Sequence, residues 1–311
     1  MGFVYSQLFV TPKYPTQEFP GRTVIVTGAN VGLGLEAARH FCRLGAAKVI
    51  LAVRNTAAGE IAEESIEKST DRRGMCEAWE LDLASYTSVQ AFAAQASRQL
   101  SRIDILVANA GIATTQYTVA EGHERSLTVN VISTVLLAML LLPKMRETAL
   151  RFPSEIPHLS VVTSEVHAWT NLPEWKADDV FAALDNETTA DHAIALCGLE
   201  ASADSDCTGT RVEDGWFWGR SEHAPAWDSW ATAILKMLLA RSTEVGSRTI
   251  LAAASAGPES HGAYMRDGKV DNGALSSFVR SEDGQKARKK VWKELVEILQ
   301  RIQPDIVAPL F

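Results

Sequence analysis

The chain has 311 residues, a length that fits one large α/β domain or two small ones. Hydrophobic residues make up 46% of it, which is too many for a disordered chain, and a formal net charge of −8 argues against nucleic acid as the main partner. Four cysteines without a CxxC pair argue against a disulfide framework and favour a reducing, cytoplasmic compartment. The longest apolar run, Val135 to Leu142, is too short to cross a bilayer, so we expect no transmembrane segment.

Strands and helices alternate along the first part of the chain, after an arm of residues 1–21 that shows no clear periodicity. Short apolar runs predict strands at Thr23–Thr27, Lys48–Val53, Cys76–Leu81, Ile103–Ala108 and Leu159–Thr163. Helical spacing predicts helices at Leu33–Leu44, Thr56–Ser69 (with Ile61 and Ile66 facing inward), Ser85–Leu100 and Ser126–Leu150. This alternation predicts a doubly wound parallel sheet, a Rossmann-like α/β fold with three layers, α/β/α.

The regular pattern stops after Asp185. Residues 186–230 contain Asp-rich, Gly-rich and Trp-rich pieces with no convincing strand, and the expected sheet is therefore weakened at its sixth strand. Helical spacing returns in three segments, Thr232–Arg241, Ser242–Ala256 and Gly284–Ile302. We expect a single dinucleotide-binding domain over residues 22–305, with 186–231 as an atypical segment and 306–311 as a tail.

A glycine-rich loop lies between the first predicted strand and the first predicted helix, with the sequence Thr27-Gly28-Ala29-Asn30-Val31-Gly32-Leu33-Gly34. Gly28 permits a tight turn, Gly32 lets the backbone approach a pyrophosphate, and Gly34 lets the helix pack closely on the sheet. The N-terminus of the helix offers free N–H groups and a favourable dipole to phosphates. The loop therefore predicts a dinucleotide site.

The TGxxxGxG spacing of this loop resembles the fingerprint of the short-chain dehydrogenase/reductase family. Within the family the chain is similar to the retinol-dehydrogenase-like and WW-domain-oxidoreductase-like branch, on the segments Asn30–Ala38, Ala52–Asn55 and Ser164–His167. Further family landmarks follow in order at the ends of predicted strands. The resemblance implies cofactor contacts from the loop residues Gly28, Asn30, Gly32, Leu33 and Gly34, an adenine contact from Asp82, and support of the adenine pocket by Asn109-Ala110-Gly111. It also implies that Asn130 and Ser164 are members of a catalytic tetrad.

The second predicted strand is followed by a basic residue, Arg54. An acidic residue at this place would bind the ribose hydroxyls of NAD, whereas a basic residue can accept the 2′-phosphate of NADP. The sequence favours NADP over NAD as the cofactor.

The catalytic half departs from the family pattern. In the family a tyrosine acts as proton donor at the substrate oxygen, and a lysine four residues later lowers its pKa. In this chain no tyrosine lies between Ser164 and Ala240, and no tyrosine anywhere is followed by lysine at that spacing. Both the helix that should carry the pair and the strand after it are missing from the pattern, and residues 186–231 stand in their place.

Three interpretations remain open for that segment. It comes from a mistaken reading frame or splice, or it belongs to a protein that has lost its chemistry but keeps the cofactor site, or it serves a reductase with a substitute acid. For the last, the nearby candidates are Glu165, His167 and His192.

The expected activity is hydride transfer between NADP(H) and a carbonyl or secondary alcohol of a small organic molecule, and the alternative is a non-enzymatic dinucleotide-binding protein. We expect no metal, because the spacing of His192, Cys197, Cys207 and His223 matches no recurrent zinc pattern. The helix Ser126–Leu150 is apolar on several faces and relatives pair it across a two-fold axis, which predicts a homodimer. Burial of the same helix within one chain is the alternative.

Overall fold

A computed structural model describes five stretches of the chain, residues 3–114, 116–164, 171–188, 209–214 and 241–308. For Ser164 and residues 209–214 the description is of the backbone.

The described strands are β1 (Thr23–Thr27), β2 (Lys48–Val53), β3 (Cys76–Glu80), β4 (Ile105–Ala108), β5 (Val119–Ala120), β6 (His123–Glu124), β7 (His158–Ser164), β8 (Gly209–Asp214), β9 (Tyr264–Arg266) and β10 (Lys269–Val270). Eight of them form one sheet in the order β10-β9-β8-β7-β4-β1-β2-β3. Neighbouring strands run parallel from β9 to β3, and only β10 pairs antiparallel. The strands β5 and β6 form a separate two-stranded hairpin.

The described helices are α1 (Phe3–Phe9), α2 (Gly32–Arg43), α3 (Thr56–Thr70), α4 (Tyr86–Gln99), α5 (Arg125–Leu127), α6 (Ser133–Arg151), α7 (Val180–Leu184), α8 (Thr243–Ala254), α9 (Ser277–Arg280) and α10 (Glu282–Ile302). A π-helical turn, Thr128–Ile132, joins α5 to α6. Short 3-10 turns lie at Pro173–Lys176, Pro258–Ser260 and Asn272–Ala274.

Two hydrophobic cores lie on opposite faces of the sheet. Side chains alternate between the faces of a strand, so that Ile25 of β1 packs in one core while Val24 and Val26 pack in the other. The first core is completed by α4, α6 and α10, and the second by α2, α3 and α8. This arrangement confirms the doubly wound, three-layer α/β/α fold.

The strand order reverses between β1 and β4, which are direct neighbours in the sheet. In doubly wound folds, ligands bind outside the carboxyl ends of the strands at such a reversal. The glycine-rich loop follows β1 and the segment Asn109–Gly111 follows β4, so the fold brings these two predicted elements together at this edge.

One expectation for the atypical segment is wrong, because residues 209–214 form a strand. β8 pairs in parallel with β7, from Leu159 opposite Gly209 to Ser164 opposite Asp214, and β9 pairs with its other edge. The sequence Gly-Thr-Arg-Val-Glu-Asp lacks the apolar run of a buried parallel strand, so periodicity gave no signal for it. The sheet therefore has a sixth parallel strand where the pattern predicted none.

The prediction for the inward face of α3 is half wrong. Ile66 is fully buried, but Ile61 is 71% exposed. Five residues along a helix correspond to a rotation of roughly 140°, so the two side chains cannot share one narrow face. Gly59 and Ala62 provide the rest of the buried face.

The N-terminal arm has more structure than its sequence suggested. Its first part is helix α1, and Phe19 is fully buried in the second core. At the other end, Ile306 is buried in the first core. The predicted domain boundaries at residues 21 and 305 stay predictions. Phe19 and Ile306 lie outside these boundaries, yet both are buried in the cores of the domain. The predicted helix Thr232–Arg241 lies outside the described residues but for Arg241.

The long helical stretch Arg125–Arg151 is long and apolar enough to cross a membrane by length and composition alone. Within it, 67% of the most apolar window is buried inside the protein, and a buried core helix of a soluble protein passes the same test. Its side chains Leu136, Leu137, Leu141 and Met145 are buried by other parts of the same chain.

Candidate functional site

The glycine-rich loop turns sharply out of β1 and into α2. Gly28 and Gly32 both adopt positive φ angles, +66° and +64°, in the region where a side chain would be strained. Gly34 has a different reason to be glycine: a Cβ there would lie 2.6 Å from the carbonyl oxygen of Gly28 and 2.6 Å from Nδ2 of Asn109. The loop conformation thus depends on all three glycines that the sequence singled out.

Among the described residues, no side chain caps the N-terminus of α2. Val31 occupies the capping position, its side chain is exposed, and it offers no hydrogen-bond acceptor. By contrast, α3, α4 and α8 are capped by Asn55, Ser85 and Ser242, whose side chains accept backbone N–H bonds. The first N–H groups of α2 are therefore left for an external acceptor, as a phosphate-binding helix requires.

Asn109 locks the loop after β4 onto the loop after β1. Its side-chain Nδ2 donates to the carbonyl of Thr27 at 2.9 Å. Its backbone N–H and that of Ala110 both donate to Oγ1 of Thr27, each at 2.9 Å. A Cβ on Gly28 would lie 3.0 Å from Cα of Ala110, so the two loops are in close contact. Asn109 thus holds the loops after β1 and β4 together through hydrogen bonds.

Thr27 is a site residue that sequence reasoning missed. Its hydroxyl accepts both of those N–H bonds and donates to the carbonyl of Val107 at 3.4 Å, which ties β1 to β4 at their carboxyl ends. A hydroxyl residue at the last position of a buried strand, directly before the first glycine, is the signal that could have identified it.

Arg54 follows β2 at the same edge of the sheet and is exposed. Within the described part of the chain it makes no hydrogen bond or ion pair, so its guanidinium is free to meet a ligand. Its neighbour Asn55 is engaged as the cap of α3, with Oδ1 accepting from the N–H of Ala58 at 3.1 Å.

Asp82 lies two residues after β3 and shapes the turn into α4. Its Oδ1 accepts from the N–H of Ala84 at 2.9 Å, and its own N–H donates to Oγ of Ser88 at 2.9 Å. The residue is half-buried, and this turn places it on the carboxyl side of the sheet with Gly28, Arg54 and Asn109.

Asn130 sits in the π-helical turn between α5 and α6, a feature that periodicity did not predict. Its Nδ2 donates to the carbonyl of Ile112 at 2.8 Å, and its Oδ1 accepts from the N–H of Ile112 at 2.9 Å. The extra residue in the turn also lets Oγ1 of Thr134 bond the carbonyl of Val129 at 2.9 Å. π-turns in α-helices often mark functional sites, and this one fixes the loop that follows Gly111.

Ser164 is the last residue of β7, the strand next to β4. Its backbone pairs in register with Asp214 at the end of β8. The candidates for a substitute acid, Glu165, His167 and His192, lie outside the described residues. Cys197, Cys207 and His223, which the sequence analysis weighed as metal ligands together with His192, also lie outside them. The described residues contain no cluster of His, Cys, Asp or Glu that could hold a metal.

Comparison with known proteins gives consistent matches. The family model adh_short, described as short chain dehydrogenase, matches residues 22–150. The chain is 41% identical to the short chain dehydrogenase/reductase dmxR8 of Cryptosporiopsis sp., over 99% of each chain. It is also 41% identical to the short-chain dehydrogenase anuD of Penicillium roqueforti, over 98% of this chain and 84% of that one.

The fold is shared with solved structures of low sequence identity. A structure titled Pseudomonas aeruginosa RhlG/NADP active-site complex has a TM-score of 0.60 and 19% identity, covering 85% of this chain and 100% of that chain. The short chain dehydrogenase from Shigella flexneri has a TM-score of 0.57 and 19% identity, covering 84% and 95%. With end-to-end relatives above 40% identity, the chain belongs to the short-chain dehydrogenase/reductase family of oxidoreductases.

Proposed function

We propose that the chain binds NADP(H) at the edge formed by β1, β2 and β4, and that its fold serves hydride transfer to or from the carbonyl or secondary alcohol of a small organic molecule. The observation that carries the proposal is the uncapped N-terminus of α2, placed directly after a glycine-rich turn with two positive φ angles. When bound, the nicotinamide supplies the hydride donor or acceptor at its C4.

The residues present fit a dinucleotide. The free N–H groups after Val31 would hold the pyrophosphate, with the positive end of the α2 dipole favouring its charge. Asn30 and Leu33 flank that turn, and Gly111 leaves the loop after β4 open beside Asn130, since a Cβ on Gly111 would meet Asn130 Oδ1 only at 3.5 Å. Asp82 would accept a hydrogen bond from the adenine.

Arg54 is the basis for preferring NADP(H) to NAD(H). A guanidinium can make charge-assisted, bidentate hydrogen bonds to a 2′-phosphate, and Arg54 is exposed and free of described partners. The end of β2 offers no carboxylate for the two ribose hydroxyls of NAD, because Val53 precedes Arg54 and Asn55 is committed to capping α3.

The catalytic end is proposed to be impaired. Ser164 would hydrogen-bond the substrate oxygen and Asn130 would hold the adjoining loop, but neither replaces the tyrosine that donates the proton in the family. The alignment with dmxR8 spans 327 positions, more than the 311 residues of this chain, so the relative has residues where this chain has none. A shortened or replaced segment between Ser164 and Ala240 agrees with this. A non-enzymatic dinucleotide-binding role is the competing proposal, and hydride transfer to added carbonyls separates the two.

The cofactor preference is tested by calorimetric titration of NADPH and NADH. We expect NADPH to bind more tightly, and Arg54→Asp to lower its affinity by roughly 10- to 100-fold, the equivalent of one or two charge-assisted hydrogen bonds, with little change for NADH. Arg73→Asp is the matched control, because Arg73 is an exposed arginine in the turn before β3, at the opposite edge of the sheet. Equal affinities for NADPH and NADH in the unaltered chain would overturn the preference.

We also propose a homodimer in the cytoplasm. Helix α6 keeps Val135, Ala138 and Leu140 partly exposed beside its buried face, and Leu150 is 82% exposed. A second copy packed against this side would cover them. Light scattering at micromolar concentration should return twice the mass of one chain, and a monomer mass would contradict the pairing. Cell fractionation tests the compartment.

A further inference from the structure

Two buried cysteines face each other between α2 and β3, far from the cofactor residues. Cys42 lies one residue before the end of α2, and Cys76 is the first residue of β3. Their Sγ atoms are 2.8 Å apart, and the two residues are 0% and 1% exposed. Both belong to the second core, so packing on the sheet holds the two sulfurs in place.

We propose that Cys42 and Cys76 form a reversible modification site, a dithiol that a small peroxide converts into a disulfide, locking α2 to β3. A disulfide bond is about 2.05 Å long, so less than an ångström of approach separates the observed contact from a bond. The inference does not depend on the proposed function, since it involves neither cofactor nor substrate.

The chemistry balances with one peroxide molecule for each pair. One thiolate attacks one oxygen of the peroxide, so that an S–O bond forms and the O–O bond breaks. The sulfur becomes a sulfenic acid, and the second oxygen leaves as water. The second thiol then attacks that sulfur, an S–S bond forms, and the sulfenic oxygen leaves as a second water. Two thiols are oxidised and one peroxide is reduced to two waters.

The surroundings of the pair set the rate and the selectivity. The hydrogen bond to Cys42, together with burial, raises the pKa of the Cys76 thiol well above its usual value. The reactive thiolate is therefore scarce at neutral pH, and closure is slow. Burial also excludes bulky thiol reagents, so a small oxidant should react where a maleimide does not.

The disulfide would join two elements that flank the proposed cofactor site, at a place away from the carboxyl ends of the strands where the cofactor is proposed to bind. Cys42 is near the C-terminal end of α2 and Cys76 is at the start of β3, whereas Gly32 begins α2 and Arg54 follows the end of β2. The bond would close a loop that contains β2 and α3, which restricts the unfolded chain and stabilises the fold.

The test uses the full chain with Cys197→Ser and Cys207→Ser, so that only the buried pair can react. After prolonged treatment with hydrogen peroxide, the protein is unfolded, alkylated with maleimide and weighed by mass spectrometry. We expect the loss of two hydrogen atoms, no maleimide uptake, reversal by dithiothreitol, and a rise in Tm on the order of 5–10 °C before reduction. Peptide mapping of the unaltered chain gives the same answer should the double variant fold poorly.

The matched control adds Cys42→Ser to the same background, and peroxide should then give no crosslink and no rise in Tm. Two thiols still alkylated after peroxide treatment and unfolding, or sulfinic acid in place of a disulfide, would overturn the site. A crosslink that leaves Tm unchanged or lowers it would overturn the lock.

Discussion

The two halves of the chain differ in what specifies them. In residues 22–164, hydrogen bonds tie the loop after β4 to the end of β1 on one side and to the π-turn at Asn130 on the other. In residues 186–231 the family pattern is lost, and β8 joins the sheet through backbone pairing with β7 and β9. The comparison teaches that the loops after β1 and β4 are specified by local motifs and their hydrogen bonds, whereas β8 depends on the strands beside it in the sheet.

The largest expected effect comes from replacing the atypical segment. Grafting the aligned segment of dmxR8 in place of residues 186–231 should raise the rate of NADPH-dependent carbonyl reduction by about 10²- to 10⁴-fold, the usual contribution of a positioned general acid. The family resemblance implies that the segment taken from dmxR8 carries the Tyr-xxx-Lys pair. Steady-state absorbance of NADPH measures the rate, and the graft with Ser164→Ala is the control that should lose the gain.

A graft that folds, binds NADPH and remains as slow as the unaltered chain would show that the loss of chemistry lies elsewhere. Transcript sequencing across the codons for residues 180–240 complements this experiment. A spliced transcript that encodes a tyrosine followed by lysine four residues later would identify the segment as a mistaken reading frame or splice.

Sequence reasoning located the elements whose pattern is local. The strands β1 to β4 and β7 and the helices α2, α3 and α4 were predicted to within a few residues, because buried strands and amphipathic helices carry their own periodicity. The short hairpin of β5 and β6 was not predicted. The glycines at positions 28, 32 and 34 were identified because their conformations and close contacts exclude a side chain. The fold class follows from these elements alone.

What the sequence did not show depends on contacts between distant residues. The role of Thr27 arises only when β4 lies beside β1, and the two bonds of Asn130 to Ile112 require a π-turn that no periodicity announces. β8 owes its conformation to β7, and the exposure of Ile61 to the angle at which α3 meets the sheet. Each of these is a tertiary effect that overrides or adds to local propensity.

A smaller effect should follow from Gly34→Ala. The added Cβ would meet backbone and side-chain atoms at 2.6 Å, and overpacking of this kind costs typically 1–3 kcal/mol. We expect a lower Tm and weaker NADPH binding, since α2 must shift away from β1. Gly273→Ala is the control: Gly273 is exposed, and its Cβ would meet only a flexible carboxylate at 3.3 Å. Unchanged Tm and affinity for Gly34→Ala would contradict the close packing of the loop.

The smallest expected effect concerns acid sensitivity of the cofactor half. Burial, together with Arg43, lowers the pKa of His40, whose Nε2 contacts Oε1 of Glu244 at 3.1 Å. The hydrogen bond from Arg248 lowers the pKa of Glu244, and this effect outweighs burial, which raises it. Tyr14 packs edge-on against the His40 ring.

Both shifts act in the same direction on stability. The folded state disfavours protonated His40, so stability is lost as the pH falls below the ordinary histidine value of 6.5. Ionised Glu244 stabilises the fold above its ordinary pKa, and that contribution is lost at lower pH still. Urea unfolding from about pH 7 to about pH 5 should show a loss of stability, and this loss should be smaller in His40→Gln. An identical pH dependence in the variant would rule out His40 as its source.

The central claim is that this chain keeps a working NADP(H) site beside an impaired catalytic site, and single-turnover oxidation of bound NADPH tests it most directly. The measurement uses saturating NADPH and a panel of ketones, aldehydes and quinones, with binding checked by titration in the same preparation. We predict saturable binding with oxidation slower than about 10⁻² s⁻¹, below the range of roughly 1–10³ s⁻¹ that enzymes usually show. Oxidation within that usual range, abolished by Ser164→Ala, would show that a substitute acid operates and would contradict the account.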